Sequence, residues 1–150
     1  IGWTMLVFGV VLWWADLKSP QARPAGEWSL RHAVIMGLWQ VLALIPGTSR
    51  AGITITGARF LGYERHDAAK LSMLMAIPVI LASGLLLAAD VVGQADMALA
   101  RDATIAAVFA FLAALLALSV MMPLARRISF TPYVIYRVVL GLILLWVAYT

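Results

Sequence analysis

The 150-residue sequence has no cysteine, which excludes both a disulfide framework and a thiolate metal site. Charge is the next scarcity. Asp, Glu, Lys and Arg make up 12% of the chain, against roughly 25% in an ordinary soluble domain. Only seven residues are acidic (Asp16, Glu27, Glu64, Asp67, Asp90, Asp96 and Asp102), and all fall at segment ends or in loops. No carboxylate is therefore expected deep in an apolar run to bind a metal or move a proton. No basic stretch precedes the opening apolar run, so it does not read as a signal peptide. Its abrupt start at Ile1 is that expected of part of a longer protein.

What is abundant is apolar. The chain is 64% hydrophobic with a mean hydropathy of +0.98, and its charges gather in short clusters between long apolar runs. This is the pattern of one small all-α polytopic membrane bundle, without room for a separate soluble domain. The net charge of +4 does not point to nucleic acid, because the basic residues occupy short loops rather than one face. Apolar regions cover residues 1–15, 33–62, 71–89, 103–123 and 133–149. The last three approach the ~20 residues of a full span. The second is divided by 46–50 into halves too short to cross. Trp13, Trp14, Trp28, Tyr133 and Tyr149 lie near segment ends, as in an aromatic belt.

Loop charges decide how the divided region sits. If 33–62 crossed once, Lys18, Arg23, Arg31 and Arg101 would face Arg65, Lys70, Arg126 and Arg127, with no bias. If it enters and returns on one side, only Arg101 faces the other seven. The positive-inside rule selects the re-entrant helix-loop-helix hairpin, with 46–50 at its tip near mid-membrane.

That tip carries the chemistry. Pro46-Gly47 breaks the helix, and Thr48, Ser49 and Arg50 follow at once. An arginine at bilayer depth is a functional-site hypothesis by default, and broken backbone there must be buried or line a cavity. Ser49, Arg50 and Thr54 at the start of the 51–62 helix form a set suited to a phosphate, helped by the helix dipole and free N–H groups. Gly47 serves the turn, while Gln40 and Thr48 are supporting polar groups. Gly47, Gly52, Gly57 and Gly62 recur every fifth residue and suit close helix approach. Two other patterns fail. Gly47 and Gly52 have P-loop spacing, but Ile53 stands where the lysine must be. Ser49-Arg50 with His66 lacks the close spacing and the aspartate partner of the histidine-dependent lipid phosphatases.

Pro46-Gly47-Thr48-Ser49-Arg50-Ala51-Gly52-Ile53-Thr54 resembles the PGxSRSGxT signature of the undecaprenyl-pyrophosphate phosphatases, the bacitracin-resistance proteins. Gly37-Leu38-Trp39-Gln40, Met75-Ala76-Ile77-Pro78, Arg127-Ile128-Ser129-Phe130-Thr131-Pro132 and Ile135-Tyr136-Arg137 agree with it. The likeness covers essentially the whole chain and corresponds to the C-terminal half of such a protein. It implies a bacterial inner-membrane enzyme that hydrolyses a C55 isoprenoid diphosphate to the monophosphate, recycling the cell-wall lipid carrier. It also implies two inverted repeats, of which this chain would supply one and need the N-terminal other, each with a re-entrant hairpin. Carried over by position, Ser49, Arg50 and Thr54 hold the diphosphate and Gly47 shapes the loop.

The family implies a divalent cation, Mg or Ca, with ligands outside this chain. Ala51 replaces the usual second serine, and Lys70 stands where glutamate is common. The expected partners are the isoprenoid lipid diphosphate, membrane lipids and the missing repeat; self-association is compatible with the pattern. The isolated 150 residues are expected to be inactive. A non-hydrolytic lipid-phosphate carrier or flippase is the alternative, since broken helices also build transporters.

Overall fold

A computed structural model describes residues 1–20, 22–93 and 97–150. Among them the chain forms α1 (Gly2–Lys18), α2 (Leu30–Val41), α3 (Arg50–Phe60), α4 (Arg65–Gly93), α5 (Met97–Arg127) and α6 (Thr131–Tyr149), with 3-10 turns at Ala25–Glu27 and Leu42–Leu44. No strand occurs in these segments. Three stretches are long and apolar enough to cross a bilayer: Arg65–Ala89, Arg101–Arg127 and Thr131–Tyr149. Their outer faces carry Leu85, Phe109 and Trp146, each about 70% exposed. Contiguous apolar surface on that scale belongs in lipid rather than water, and the protein is an all-α membrane bundle.

Element boundaries depart from expectation at three places. The loop expected over 90–102 is largely helical: Asp90 falls within α4 and Asp102 within α5, while Asp96 lies outside the described residues. Ala, Leu and Met around these charges favour continuing the helices. Asp16, expected to open a loop, lies inside α1 and is only 2% exposed. Arg59, in the half-segment read as apolar, is fully buried. The two observations are one feature. Arg59 Nε lies 3.2 Å from Asp16 Oδ1, and Arg65 Nε lies 2.9 Å from the same oxygen. Arg59 also donates to the carbonyls of Asp16, Ser19 and Tyr63, and Asp16 Oδ2 accepts the Phe130 amide at 3.3 Å. One carboxylate thus ties α1 to α3, α4 and the start of α6.

α3 is the central element, packed against α1, α2 and α4 and buried from Gly52 through Arg59. Small residues make this approach possible, as in membrane interfaces generally. A Cβ on Gly57 would sit 2.8 Å from the Trp39 ring of α2, which is itself backed by Phe60 at 5.5 Å between centroids. Gly57→Val is therefore expected to destabilise the bundle by about 1–3 kcal/mol through overpacking, read as a lowered thermal midpoint in detergent. Gly62 does something different from its helical neighbours: its φ of +86° makes it the turn that ends α3. α1 and α6 cross equally closely, since a Cβ on Gly141 would meet the Gly2 carbonyl oxygen at 3.1 Å.

The connection between α1 and α2 is knitted to the far end of α3. Arg23 donates to the Leu61 carbonyl (2.6 Å) and pairs with Glu27 (3.2 Å). The Tyr63 hydroxyl sits 2.6 Å from His32 Nδ1. Burial pushes the Tyr63 phenol above its ordinary pKa, against the opposing pull of Arg23, so it remains a donor at neutral pH.

Candidate anion-binding site at the start of helix α3

The chain leaves α2 through the Leu42–Leu44 turn because Pro46 disfavours helical geometry at Ile45, whose ψ is 119°. The Thr48 amide then bonds the Ile45 carbonyl at 3.2 Å, with Pro46 second and Gly47 (φ +89°) third in the turn. That order suits a type II turn, which requires positive φ at its third residue. Ser49 follows at φ +67°, ψ 113°. Among the described residues it is the only non-glycine with positive φ. Such a conformation costs on the order of 1–3 kcal/mol and persists only where the surroundings enforce it.

Four contacts enforce it. The Thr4 hydroxyl, on α1, lies 2.6 Å from both the Pro46 and the Ile1 carbonyl oxygens and shares its one proton between them. Arg137 Nη2, on α6, donates to the Gly47 carbonyl at 2.7 Å. Ser49 Oγ lies 2.9 Å from the Tyr133 hydroxyl, also on α6, and caps α3 by accepting the Gly52 amide at 3.3 Å. The loop's carbonyls are thus drawn away by α1 and α6. The amides of Arg50 and Ala51, in the first turn of α3, have no acceptor within the described chain. Free amides at a helix N-terminus favour an anion.

The expected site residues divide into three groups. Gly47, Ser49 and Arg50 meet in the loop. Arg50 is half-buried, and among the described residues its guanidinium makes one hydrogen bond, a long one of 3.4 Å to the Ala76 carbonyl of α4, so it is largely uncommitted. Thr54 turns inward. It is 1% exposed and bonds the Arg50 carbonyl at 2.9 Å and Ser72 Oγ at 2.5 Å, the back-bonding habit of hydroxyls in membrane helices. Thr48 Oγ1 and Gln40 Oε1 are buried without a hydrogen-bond partner among the described residues.

Two residues of this site were not singled out from the sequence. Tyr133, read as part of an aromatic belt, is bonded to Ser49. Arg137, 3% exposed, crosses the α1–α6 contact with its Nε 4.0 Å from where a Gly9 Cβ would lie. An arginine inside an apolar run is the signal that drew attention to Arg50, and it applies equally to Arg137. Neither arginine has a carboxylate partner among the described residues.

An apolar cleft of about 260 Å³ opens beside Tyr133, walled by Gly52, Ile55, Met121, Leu124 and Phe130. The polar groups at the loop are amides, hydroxyls and guanidinium groups. Among the described residues no three His, Cys, Asp or Glu side chains converge. This donor set does not fit a divalent cation by itself, although it fits an anion.

Comparison with known proteins gives the same direction. The chain is 72% identical over its whole length to an undecaprenyl-diphosphatase of Dinoroseobacter shibae and 65% identical to that of Ruegeria pomeroyi, spanning 56% of each. It is 45% identical to undecaprenyl-diphosphatase 1 of Rhodospirillum rubrum, over 99% of the chain and 53% of that protein. The chain thus spans little more than half the length of these curated relatives. Residues 1–143 match the family described as bacitracin resistance protein BacA, and the chain belongs to that family.

Proposed function

We propose that this chain forms the phosphate-gripping part of a membrane lipid-diphosphate phosphatase, which converts undecaprenyl diphosphate to undecaprenyl phosphate and inorganic phosphate. The observation that carries this reading is the pairing of free α3 amides with an uncommitted Arg50, which no carboxylate pairs with among the described residues. In this reading the diphosphate sits on the α3 N-terminus, with Arg50 forking onto its oxygens as a planar donor. As the P–O bond breaks, charge builds on those oxygens, and donors already in place stabilise it without reorganising. Ser49 adds a hydroxyl. Gly47 and Arg137 hold the loop's shape, and Thr54 ties α3 to α4 beneath it. The apolar cleft beside Tyr133 suits the first isoprene units of the substrate.

The 33–62 segment is read as re-entrant. Its helices have 12 and 11 residues, near 18 and 16 Å at ~1.5 Å per residue, too short for a ~30 Å core. A plasma-membrane location and a second, inverted repeat belong to the same reading. So does a divalent cation, held by ligands outside this chain.

The test is phosphate release from undecaprenyl diphosphate by the purified complete gene product in detergent. Turnover to the monophosphate is expected. Tight binding of the lipid diphosphate without release of phosphate would overturn hydrolysis in favour of a carrier.

A further inference from the structure

The hydrogen bonds at the loop have a direction. Arg137 Nη1 lies 3.4 Å from the Tyr133 hydroxyl oxygen, and an arginine N–H can only donate. The phenol therefore accepts from Arg137 with one lone pair, and in its 2.9 Å contact with Ser49 Oγ either hydroxyl can be the donor. That oxygen also accepts the Gly52 amide. A hydroxyl has two acceptor lone pairs and one proton. With Tyr133 as the donor, both lone pairs of Ser49 Oγ are occupied and its own proton is left to be used.

We infer that Tyr133 is a positioning residue that fixes Ser49 as a hydrogen-bond donor to a bound diphosphate oxygen. The inference rests on the proposed anion site and assigns the polarity of one of its groups. The chain runs from the Arg137 cation through Tyr133 and Ser49 to the anion, so each bond polarises the next in the favourable sense. The reverse arrangement, with Ser49 donating to Tyr133, would turn an oxygen lone pair toward the phosphate. No Asp, Glu or His bonds Ser49 or Tyr133 among the described residues, so these contacts place Ser49 as a ligand of the phosphate.

The test is a double-mutant cycle in the complete gene product, with farnesyl diphosphate as a soluble probe whose Kd is measured by titration calorimetry. Ser49→Ala and Tyr133→Phe are each expected to weaken binding by about tenfold, the scale of one hydrogen bond to a charged group. In the Ser49→Ala background, Tyr133→Phe should then change Kd less than about twofold, because the relay already lacks its last member. Tyr133 is 38% exposed and the variant removes one oxygen, so an unchanged thermal midpoint is expected as well. Equal losses in both backgrounds would overturn the inference, as would wild-type affinity in Tyr133→Phe or recovery of phosphoserine at position 49 after turnover. Binding without hydrolysis by the wild type would remove the phosphatase reading alone, leaving the cycle to decide the relay. No binding by the wild type would remove both.

Discussion

Replacing Arg50 by alanine is expected to lower phosphate release from undecaprenyl diphosphate by at least about 100-fold, the usual scale for loss of one preorganised donor. Arg50→Lys should lose nearly as much, since an ammonium carries the charge but cannot reproduce a planar two-point grip. The magnitude follows from what Arg50 lacks. Its one long bond to the Ala76 carbonyl contributes little to the fold, so thermal stability should move by less than about 1 kcal/mol. A large kinetic effect with a small stability effect separates a substrate-facing arginine from a structural one. Near-normal turnover in Arg50→Ala, or collapse of the fold, would refute the assignment.

The largest effect on stability is expected at Asp16. Asp16→Ala leaves the fully buried Arg59 guanidinium without its counter-charge. Breaking a buried pair from one side typically costs about 3–5 kcal/mol, because the remaining ion is neither hydrated nor paired. Arg65 is the lesser casualty, since its side chain keeps 26% exposure and can turn to water. The second variant, Asp16→Ala with Arg59→Met, removes both charges and should recover part of the loss. Recovery stays incomplete because the carbonyls of Asp16, Ser19 and Tyr63 lose their donor. The measurement is the thermal midpoint of each variant in one detergent. A midpoint for Asp16→Ala equal to wild type would show that the carboxylate is dispensable.

Three arginines in or beside α3 thus differ in use, although each is a guanidinium in an apolar setting. Arg59 is consumed by a carboxylate and three carbonyls. Arg137 is consumed in part by the Gly47 carbonyl and Tyr133, with its Nε left over. Arg50 is nearly free. The difference lies in the partners brought to each, and those partners come from residues up to 90 positions away.

Much of the architecture is local information. Apolar run lengths specify the long helices, Pro46-Gly47 specifies the break, and the cluster that follows identifies where an anion would sit. Hydropathy and turn chemistry act over a few residues, so they can be read in order along the chain. Reading the loop hydroxyls one at a time could not tell a ligand from a back-bonder. Thr54 faces inward because Ser72 of α4 lies opposite it, and Ser49 is held outward because Tyr133 of α6 does. The same limit applies to the charges: Asp16 and Arg59 look like a loop acid and a stray base until α1 and α3 are packed together. The sequence by itself determined a helical membrane protein, an interrupted segment and a candidate oxyanion loop within a recognisable family. Only the tertiary structure decided which arginine is uncommitted, which hydroxyl meets Tyr133 and which carboxylate is spent on stability. Polar groups in an apolar interior must find partners, and those partners are chosen by helix packing rather than by neighbours in the chain.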